Sequence, residues 1–480
     1  MISANRMAQV DANAAALGVP QKQLMESSGN AVARAVREAA DPGARVAVVA
    51  GRGNNGGDAF VAVRFLDDYE VSVHLLGRSE TISTDIARRN WDALRQGEYE
   101  VEEVGDSRSF ELPDCDVIVD AMLGTGVTGA LREPEATAAE RINDADATVV
   151  SVDVPSGVNA DTGETEGTAV EADRVVTFHD LKPGLDSLDA AVTVADIGIP
   201  AAAERLVGPG DLLPVRRGAK PEDSRAYVVG GGPYTGAPAL AAQSALRTGA
   251  DLSFVAAPET VAPQIQSYAE DLIVQSYDGD RLAPEQVPNL VDTAESYDDV
   301  VVLGPGLGNA DETLEAAKRF LAEFSGRAVV DADALPVVPD VDTDATLVCT
   351  PNRKELAKMG GPEVESADAL RDHADEIEDF AADLGHVVVA KARDDIVTDG
   401  ERTRVSTAGT SGMSVGGTGD TLAGAVAGLL GAHDPFQSAC MATYANGRAA
   451  ELLDEDRHDG LLASDLLDAL PRALWGDDDE

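Results

Sequence analysis

The sequence is poor in cysteine, and this scarcity excludes two classes of protein. Its three cysteines, Cys115, Cys349 and Cys440, lie far apart in apolar surroundings, which is typical of buried thiols. The six histidines show no metal-ligand spacing. We therefore expect neither a disulfide framework nor a zinc centre.

Basic residues are also scarce. Lysine and arginine total 37 against 86 acidic residues, which gives a net charge of -49, and only seven of the bases are lysines. Such a charge repels the phosphates of nucleic acids and anionic membranes, so neither is an expected partner. The balance resembles that of proteins from salt-loving organisms, in particular a halophilic archaeon, where salt screens self-repulsion. Any phosphate site must therefore be local.

Long apolar runs are absent as well. No stretch approaches the 18 or more apolar residues of a membrane-spanning helix, and residues 1–18 are amphipathic, unlike a secretory signal. These features predict a cytoplasmic protein. Because 480 residues exceed what one ordinary core supports, we expect two domains.

The first half alternates between helix-like and strand-like segments. Apolar spacing predicts helices over 21–40, 84–96 and 134–143, and strands over 46–50, 71–77, 116–124 and 147–157. This alternation predicts a largely parallel sheet. Three of the strands are followed by polar or glycine-rich loops, which hold Asn54–Asp58, Asp120 with 124–129, and 153–157. Since the carboxyl ends of parallel strands share one edge, these loops can converge.

Asn, Asp and Ser offer hard oxygen ligands, which suit an alkali or alkaline-earth cation. Each loop also has a simpler explanation, because a single glycine-rich turn is weak evidence and Asp120 or Asp153 could be a cap or turn former. It is less favoured that all three loops carry these residues only as turn or cap formers.

Four motifs, LMESSGNAVA at 24–33, NNGGD, VDAMLGTGVTG and VDVPSG, resemble the NAD(P)H-hydrate epimerase domain over residues 1–210. The resemblance implies a Rossmann-like fold that binds NAD(P)HX, a reduced nicotinamide damaged by water addition at C6, together with potassium (K⁺). It implies Asn55, Asp120 and Ser156 as potassium ligands. The implied hydrate-binding residues are Asn54, Asn55, Gly56, Gly57, Asp58, Gly124, Thr125, Gly126, Val127, Thr128, Gly129, Ala130 and Asp153. Ala59 replaces a glycine usual in the family.

Epimerisation at C6 must break and remake a bond at a carbon that carries a hydroxyl. A carboxylate placed against the ring is the simplest acid or base for this step. Asp153 is the candidate.

The second half begins a new series. Residues 200–224 lose periodicity, which places a linker near 205–215, and a second domain is expected over 215–480. Predicted strands cover 226–231, 251–257, 299–304, 328–335, 345–350 and 386–392, with helices over 238–249 and 310–324. The alternation predicts a second three-layer α/β/α domain.

The stretch GGTGDTLAG, 416–424, combines three glycines, an acid and a small-residue helix predicted to begin near Asp420. Such a turn directs N–H groups at an anion, and the helix N-terminus adds to the attraction. An acid at this position should repel a phosphate unless it serves as a base. Asp420 can accept a hydroxyl proton while the N–H groups of Gly417 to Gly419 hold the transferring phosphoryl group.

YTGAPALAAQSALRTGADL, GPGLG, DADAL, TPNRKEL and GGTGDTLAGAVAGLL, in this order, resemble the ribokinase-like NAD(P)HX dehydratase, often fused behind the epimerase. The resemblance implies that ADP, or ATP in eukaryotic relatives, with Mg²⁺ phosphorylates the hydrate. Phosphate then leaves, with AMP or ADP as the other product, and NAD(P)H is restored. The implied contacts to the hydrate are Ala237, Gly306, Asn352 and Asp420, and those to the nucleotide are Lys391, Gly416, Gly417, Thr418 and Gly419.

Two positions depart from the family pattern. Asn352 replaces a histidine, cannot titrate, and with Glu355 forms the N-x-x-E pattern that helps place a magnesium–phosphate group in ribokinase-like kinases. Lys391 is followed by Ala392 and Arg393 where the family has glycine. It keeps a cation for phosphates, although a solvated surface lysine is an alternative.

The sequence thus predicts a bifunctional repair enzyme that acts on NADHX and NADPHX, expected as a homo-oligomer. Its fused arrangement favours ADP. The alternative is a ribokinase-like small-molecule kinase with a nucleotide-binding module. A non-catalytic binding scaffold is disfavoured, because Asp153 and Asp420 are both present.

Overall fold

The computed structural model describes residues 1–126, 128–218 and 224–476. The chain forms two compact units, Met1–Ala203 and Glu204–Glu480. Val127, one of the predicted hydrate contacts, lies outside the described residues. No helix within the described ranges is long and apolar enough to cross a membrane.

The first unit contains a parallel sheet with the strand order β3-β2-β1-β4-β5-β6-β7 across its described part. Its strands are β1 Arg45–Ala50, β2 Glu70–Leu76, β3 Glu100–Val104, β4 Val117–Ala121, β5 Thr148–Val152, β6 Arg174–Phe178 and β7 Ala191–Ala195. Its helices are α1 Ala4–Ala16, α2 Gln21–Ala39, α3 Asn54–Val63, α4 Asp85–Gln96 and α5 Glu135–Asn143. This is the Rossmann-like order, and the strand sequence reverses direction between β1 and β4.

Both faces of this sheet are covered. Val46, Val48 and Ala50 of β1 pack in one core with α1 to α4, whereas Ala47 and Val49 pack in a second core with α5. Alternate side chains of a strand point to opposite faces, so a strand buried on both faces must be apolar throughout. The three-layer α/β/α prediction for this half is confirmed.

The second unit contains a larger sheet with the order β10-β9-β8-β11-β12-β13-β14-β15-β16 in its described part. Its strands are β8 Arg225–Val229, β9 Leu252–Pro258, β10 Ile273–Tyr277, β11 Val300–Leu303, β12 Arg327–Val330, β13 Thr346–Cys349, β14 Val387–Ala390, β15 Asp395–Thr398 and β16 Thr403–Ser406. They are parallel up to β14, and β15 and β16 are antiparallel.

Helices cover both faces of this sheet as well. They are α6 Ala202–Arg205, at the division between the units, α7 Leu213–Arg217, α8 Gly236–Thr248, α9 Ala262–Gln266, α10 Val287–Ser296, α11 Asp311–Glu323, α12 Arg353–Lys358, α13 Ala374–Leu384, α14 Thr418–Leu430, α15 Pro435–Arg457 and α16 Ala463–Trp475. One core joins the sheet to α8, α14, α15 and α16. Another joins it to α10 and α11. The fold is therefore the predicted pair of three-layer domains.

Three local predictions were wrong. The segment predicted as a linker over 205–215 is folded, with Val207 and Leu212 in a core of the second unit, because its apolar residues find partners there. The strand predicted over 328–335 ends at Val330, and a 3₁₀ helix, Ala332–Asp340, follows. The NNGGD motif is the first turn of α3 rather than a loop before it.

Candidate active sites

A cavity of about 660 Å³ opens in the first unit where the strand order reverses. Asn54, Asn55 and Asp58 reach it from α3, which follows β1. Gly124, Thr125 and Gly126 reach it from the loop after β4, and Asp153 follows β5. The carboxyl ends of neighbouring parallel strands therefore bring these predicted residues together.

Other predicted residues do not line this cavity. Gly56 and Gly57 are buried within α3, where an added side chain would strike Gly51 and Met25. Thr128 and Gly129 line a smaller cavity on the same loop. Ala130 is exposed.

The three predicted potassium ligands form a cluster next to the backbone of Leu123. Asn55 Nδ2 donates to the Leu123 carbonyl at 3.0 Å, and the Leu123 N–H donates to Ser156 Oγ at 3.0 Å. Ser156 Oγ in turn donates to Asp120 Oδ1 at 2.6 Å. Asp120 is fully buried, and its Oδ2 accepts from Ser151 Oγ at 2.8 Å. The cluster offers hard oxygen atoms from an amide, a carboxylate and a hydroxyl.

Asp153 occupies an unusual backbone position at the end of β5. Its φ of 66° lies in the left-handed region, which aspartate tolerates better than most residues. Lys182 Nζ forms an ion pair with its Oδ1 at 3.0 Å, and Thr177 Oγ1 donates to the same oxygen at 3.2 Å. Strained backbone of this kind is common at functional sites.

Two further acids face the cavity beside Asp153. Burial raises the pKa of Asp11 to about 6, and the charge of Asp153 adds to this rise. Burial raises the pKa of Asp58 well above its ordinary value, with further contributions from Asp153 and Asp11. The site therefore contains two buried acids with raised pKa values, which is common at functional sites.

The second candidate site forms at the N-terminus of α14. Gly417 caps this helix with a φ of 103°, a conformation available to glycine. The helix begins at Thr418, two residues before the predicted start near Asp420, so Asp420 lies in its first turn. The N–H groups of this turn have no partner within the helix, and the macrodipole makes them attractive to an anion.

Asp420 belongs to a cluster of charged groups. Burial and the charge of Asp331 raise its pKa to about 7, against the opposing effect of Lys391. Lys391 Nζ lies 2.7 Å from Asp331 Oδ1, and Thr350 Oγ1 donates to that oxygen, also at 2.7 Å. Burial lowers the pKa of Lys391, but nearby carboxylates outweigh this effect and hold it above its ordinary value. Lys391 is therefore a largely buried member of this charged cluster and not a solvated surface lysine.

Asn352 and Glu355 form a helix cap. Asn352 Oδ1 accepts from the N–H groups of Lys354 and Glu355, and Glu355 Oε2 accepts from the Asn352 N–H at 2.8 Å. This reciprocal arrangement is a capping box at the start of α12. Burial raises the pKa of Glu355, and Lys391 opposes the rise. The N-x-x-E motif thus holds Glu355 beside Lys391.

The loop that holds Gly306 meets the loop that leads into α8 and Ala237 where the second sheet reverses its strand order, between β8 and β11. The Gly231 N–H donates to the Pro305 carbonyl at 3.0 Å. Gly306 has a φ of 73°, and an added side chain would strike the backbone of Tyr234. Ala237 lies in the first turn of α8.

The sequence did not identify Asp11, Lys182 or Asp331 as site residues. Asp331 directly follows β12, so the rule that singled out Asp120 and Asp153 as acids at strand ends would have found it. Asp11 lies in the predicted amphipathic N-terminus and carried no signal of its own. Lys182 is four residues beyond the end of β6, outside every loop that the sequence singled out.

Comparison with known proteins adds an independent finding. Residues 21–184 match the family described as "YjeF-related protein N-terminus", and residues 226–472 match the family described as "NAD(P)H-hydrate dehydratase". Proteins called bifunctional NAD(P)H-hydrate repair enzyme Nnr are similar over nearly the whole chain. The protein from Methanothermobacter thermautotrophicus is 43% identical, with 98% of this chain and 94% of that protein covered. The one from Archaeoglobus fulgidus is 39% identical, with 98% of each covered.

A solved structure is also similar. The ADP/ATP-dependent NAD(P)H-hydrate dehydratase from Bacillus subtilis, co-crystallised with ATP and Mg²⁺, is 23% identical. It matches with a TM-score of 0.49 and covers 56% of this chain and 97% of its own. The near full-length matches to the curated proteins carry the assignment: the chain belongs to the family of bifunctional NAD(P)H-hydrate repair enzymes.

Proposed function

We propose that this protein repairs hydrated NADH and NADPH in two reactions, assigned to residues 1–210 and 215–480. The first interconverts the R and S epimers of NAD(P)HX at C6. The second dehydrates the S epimer at the expense of ADP or ATP. One observation carries the proposal: in a chain of this family, each unit has its own strand-end site with a base, Asp153 or Asp420, beside a lysine.

In the first site we assign Asp153 to proton transfer at C6. It lines the cavity, and its carboxylate can take the proton of the C6 hydroxyl and deliver it to the ring nitrogen as the C6–N1 bond breaks. Both transfers are reversed when the bond forms again on the other face of C6. The N–H groups at the start of α3 would hold a phosphate of the hydrate, because a helix N-terminus attracts anions. The loop after β4 supplies Gly124, Thr125 and Gly126 as a further wall of the cavity.

Potassium fits the cluster of Asn55, Asp120 and Ser156. The amide nitrogen of Asn55 already donates to the Leu123 carbonyl, so the atoms that these residues can offer to a cation are hard oxygen ligands. Asp120 is a fully buried carboxylate, and a bound cation would offset its charge. When bound, the ion would supply positive charge near the phosphates of the substrate in a strongly acidic protein. The cluster also holds the backbone of Leu123, which leads into the cavity loop. Asn55 and Ser156 hydrogen-bond to Leu123 directly, and Asp120 accepts from Ser156.

In the second site Asp420 accepts the proton of the C6 hydroxyl as that oxygen attacks the terminal phosphoryl group of ADP or ATP. The N–H groups of 417–419 hold the charge that develops on the phosphoryl oxygens. The ester then breaks at its C–O bond, and inorganic phosphate leaves. Loss of the C5 proton restores the ring double bond of NAD(P)H, with AMP or ADP as the other product. Ala237 and Gly306 are assigned to the hydrate, and Lys391 to the nucleotide phosphates.

Magnesium fits the same site. Glu355 uses one oxygen for the cap of α12, and its other oxygen would help to hold a magnesium–phosphate group. When bound, Mg²⁺ neutralises phosphate charge. Asn352 keeps an amide NH₂ group, which can donate to the hydrate while its oxygen caps the helix.

We further propose that the protein is cytoplasmic, homo-oligomeric and of halophilic archaeal origin. Its acid excess of 49 charges supports the halophilic origin. Light scattering in molar salt would give its oligomeric state.

The decisive experiment uses a mixture of both NADHX epimers with ADP or ATP in high potassium. The wild-type protein should return nearly all of the hydrate to NADH, with release of phosphate. Asp153→Asn should stop once the S epimer is consumed, and Asp420→Asn should recover none. A mixture of the two variants should restore full recovery, because each supplies the missing reaction.

Three results would contradict the proposal. If neither ADP nor ATP supports any recovery of NADH, the dehydratase assignment is excluded. A stable phosphoester without NADH would indicate a small-molecule kinase instead. Ligand binding without turnover would indicate a binding scaffold.

A further inference from the structure

Lys182 lies at the first site and has no exposed surface. The chain leaves β6 at Phe178, and Lys182 folds back across the end of this strand. Its Nζ donates to the Phe178 carbonyl at 2.7 Å and to the Asp180 carbonyl at 3.3 Å. The third direction is taken by Asp153 Oδ1 at 3.0 Å.

The residues that contact Asp153 here all belong to β6 or to the exit loop, the segment from 179 to 182 that follows this strand. The backbone N–H of Asp153 donates to the Val176 carbonyl at 2.8 Å. Thr177, also fully buried, donates to Asp153 Oδ1, the oxygen that pairs with Lys182. Among the described residues, the hydrogen bond from Thr177 and the ion pair with Lys182 both use Oδ1 of Asp153. One carboxylate oxygen is therefore fixed, and the other is available to the cavity.

We propose that Lys182, with Thr177, is a positioning residue that orients Asp153 so that Oδ2 faces C6 of the hydrate. This inference rests on the proposed role of Asp153. An ammonium group has three N–H donors, of which two are used by the Phe178 and Asp180 carbonyls, and Asp153 Oδ1 lies 3.0 Å away on the remaining side. In this proposal Lys182 therefore acts through Asp153.

The surroundings explain why a cation is needed at this place. Asp11 and Asp58 face the same cavity as Asp153, so three acids lie close together. Arg52 also lines the cavity, but its described ion pair is with Glu135, at 4.0 Å. Lys182 is the cation in contact with Asp153, and it offsets the repulsion that would otherwise turn this carboxylate away from its neighbours.

The test uses the full-length chain and four variants: Lys182→Met, Thr177→Val, Asp153→Asn and the double variant Lys182→Met/Asp153→Asn. Epimerisation of each NADHX epimer is measured separately from dehydration. Lys182→Met should lower kcat for epimerisation about 100-fold, as expected for a misplaced catalytic group, with KM nearly unchanged. Thr177→Val should give a smaller loss of the same kind.

Two comparisons identify the cause. If Lys182 acts only through Asp153, Lys182→Met should have no further effect in the Asp153→Asn background. Dehydration of the S epimer by the other unit should remain at the wild-type rate. Asp180→Asn is the matched control, since Asp180 lies in the same exit loop and its side chain pairs with the N-terminus instead.

Wild-type kcat in Lys182→Met would overturn the proposal. A raised KM at unchanged kcat would also overturn it, because Lys182 would then be a substrate contact. If thermal melting shows that Lys182→Met does not fold, Thr177→Val decides: an unchanged kcat overturns the proposal. Full epimerisation by Asp153→Asn would instead remove the proposed base, an outcome distinct from the failure of Lys182 alone.

Discussion

Two of the seven lysines, Lys182 and Lys391, are buried against aspartates at the two candidate sites. A surface rich in acids tolerates arginine in place of lysine, but a compact ammonium group on a flexible stem fits a narrow buried position better than a planar guanidinium. Their retention therefore reflects local chemistry. The scarcity of lysine elsewhere makes these two positions informative.

The raised pKa of Asp420 gives a prediction for the pH dependence of dehydration. Burial and the charge of Asp331 raise this pKa to about 7, and the charges of Glu355 and Asp333 add to the rise, whereas Lys391 opposes it. A base must be ionised to accept a proton, so kcat/KM for the S epimer with ADP should fall as pH decreases below about 7. Above that pH it should level off. Initial rates between pH 5.5 and 9 measure the effect.

Asp395 offers a control for this experiment. Burial also raises its pKa to about 7, but it is the first residue of β15 and accepts from the Ala392 N–H. Asp395→Asn should leave the acid limb in place. The assignment would be contradicted if the fall of kcat/KM at low pH, its acid limb, shifted in Asp395→Asn. It would also be contradicted if the acid limb stayed at the same pH in an active Asp420→Glu protein.

Some site residues could be predicted at this scale and others could not. Asp120, Asp153 and Asp420 were identified because an acid beside glycines at a strand or helix end stands out locally. Lys182 reaches Asp153 only because its loop folds back over β6, and a linear pattern carries no record of that return. Asp331 was missed because apolar residues on both sides suggested a continuous strand.

At the scale of elements, the second site depends on a close contact between α8 and α14. Gly424 of α14 lies against the Ala241 backbone and Ser244 of α8, and an added Cβ would overlap both. Ser244 Oγ also donates to the Thr421 carbonyl at 2.6 Å. This contact holds the helix that bears Asp420 next to the helix that bears Ala237.

Gly424→Ala should therefore destabilise the second unit by about 1–3 kcal/mol, because overpacking forces the helices apart. It should also lower the dehydration rate while epimerisation remains normal. Calorimetry and the two separate assays measure these effects. Gly460→Ala, at a site with open space around it, is the control, and equal losses in both variants would contradict the explanation.

The segment after α6 is attached to the second unit by a buried ion pair. Arg404 Nη1 of β16 donates to Asp211 Oδ1 at 3.0 Å, and both side chains are nearly inaccessible. Arg404→Met should cost about 3–5 kcal/mol, since it leaves a buried carboxylate unpaired. Arg404→Met/Asp211→Leu should recover most of this loss in urea unfolding. A double variant as unstable as the single one would show that the charge is not the cause.

The edge strands mark the limit of prediction for elements. Central strands such as β1 and β11 are apolar throughout and were found from composition alone. β3, β7 and β10 have largely exposed side chains, and sequences such as Glu100–Val104 show no continuous apolar run. Their pairing depends on neighbours already in the sheet, which a local pattern does not contain.

At the scale of the whole molecule, the charge of -49 should make stability depend on salt. The Debye length falls from about 10 Å at 0.1 M salt to about 3 Å at 1 M, so salt weakens repulsion among surface acids. The melting temperature should rise steeply between 0.1 and 3 M KCl. NaCl should match KCl if screening alone acts, whereas an additional gain in KCl would support the potassium site. A melting temperature insensitive to both salts would contradict a halophilic origin.

The three buried cysteines give this molecule its own reporters of local opening. Cys115 belongs to the first unit, and Cys349 and Cys440 belong to the second. Burial raises the pKa of Cys349 to about 12, so its thiol reacts with alkylating reagents only when its surroundings open. Pulse alkylation followed by peptide mass spectrometry can thus record the opening of each half separately in the natural sequence.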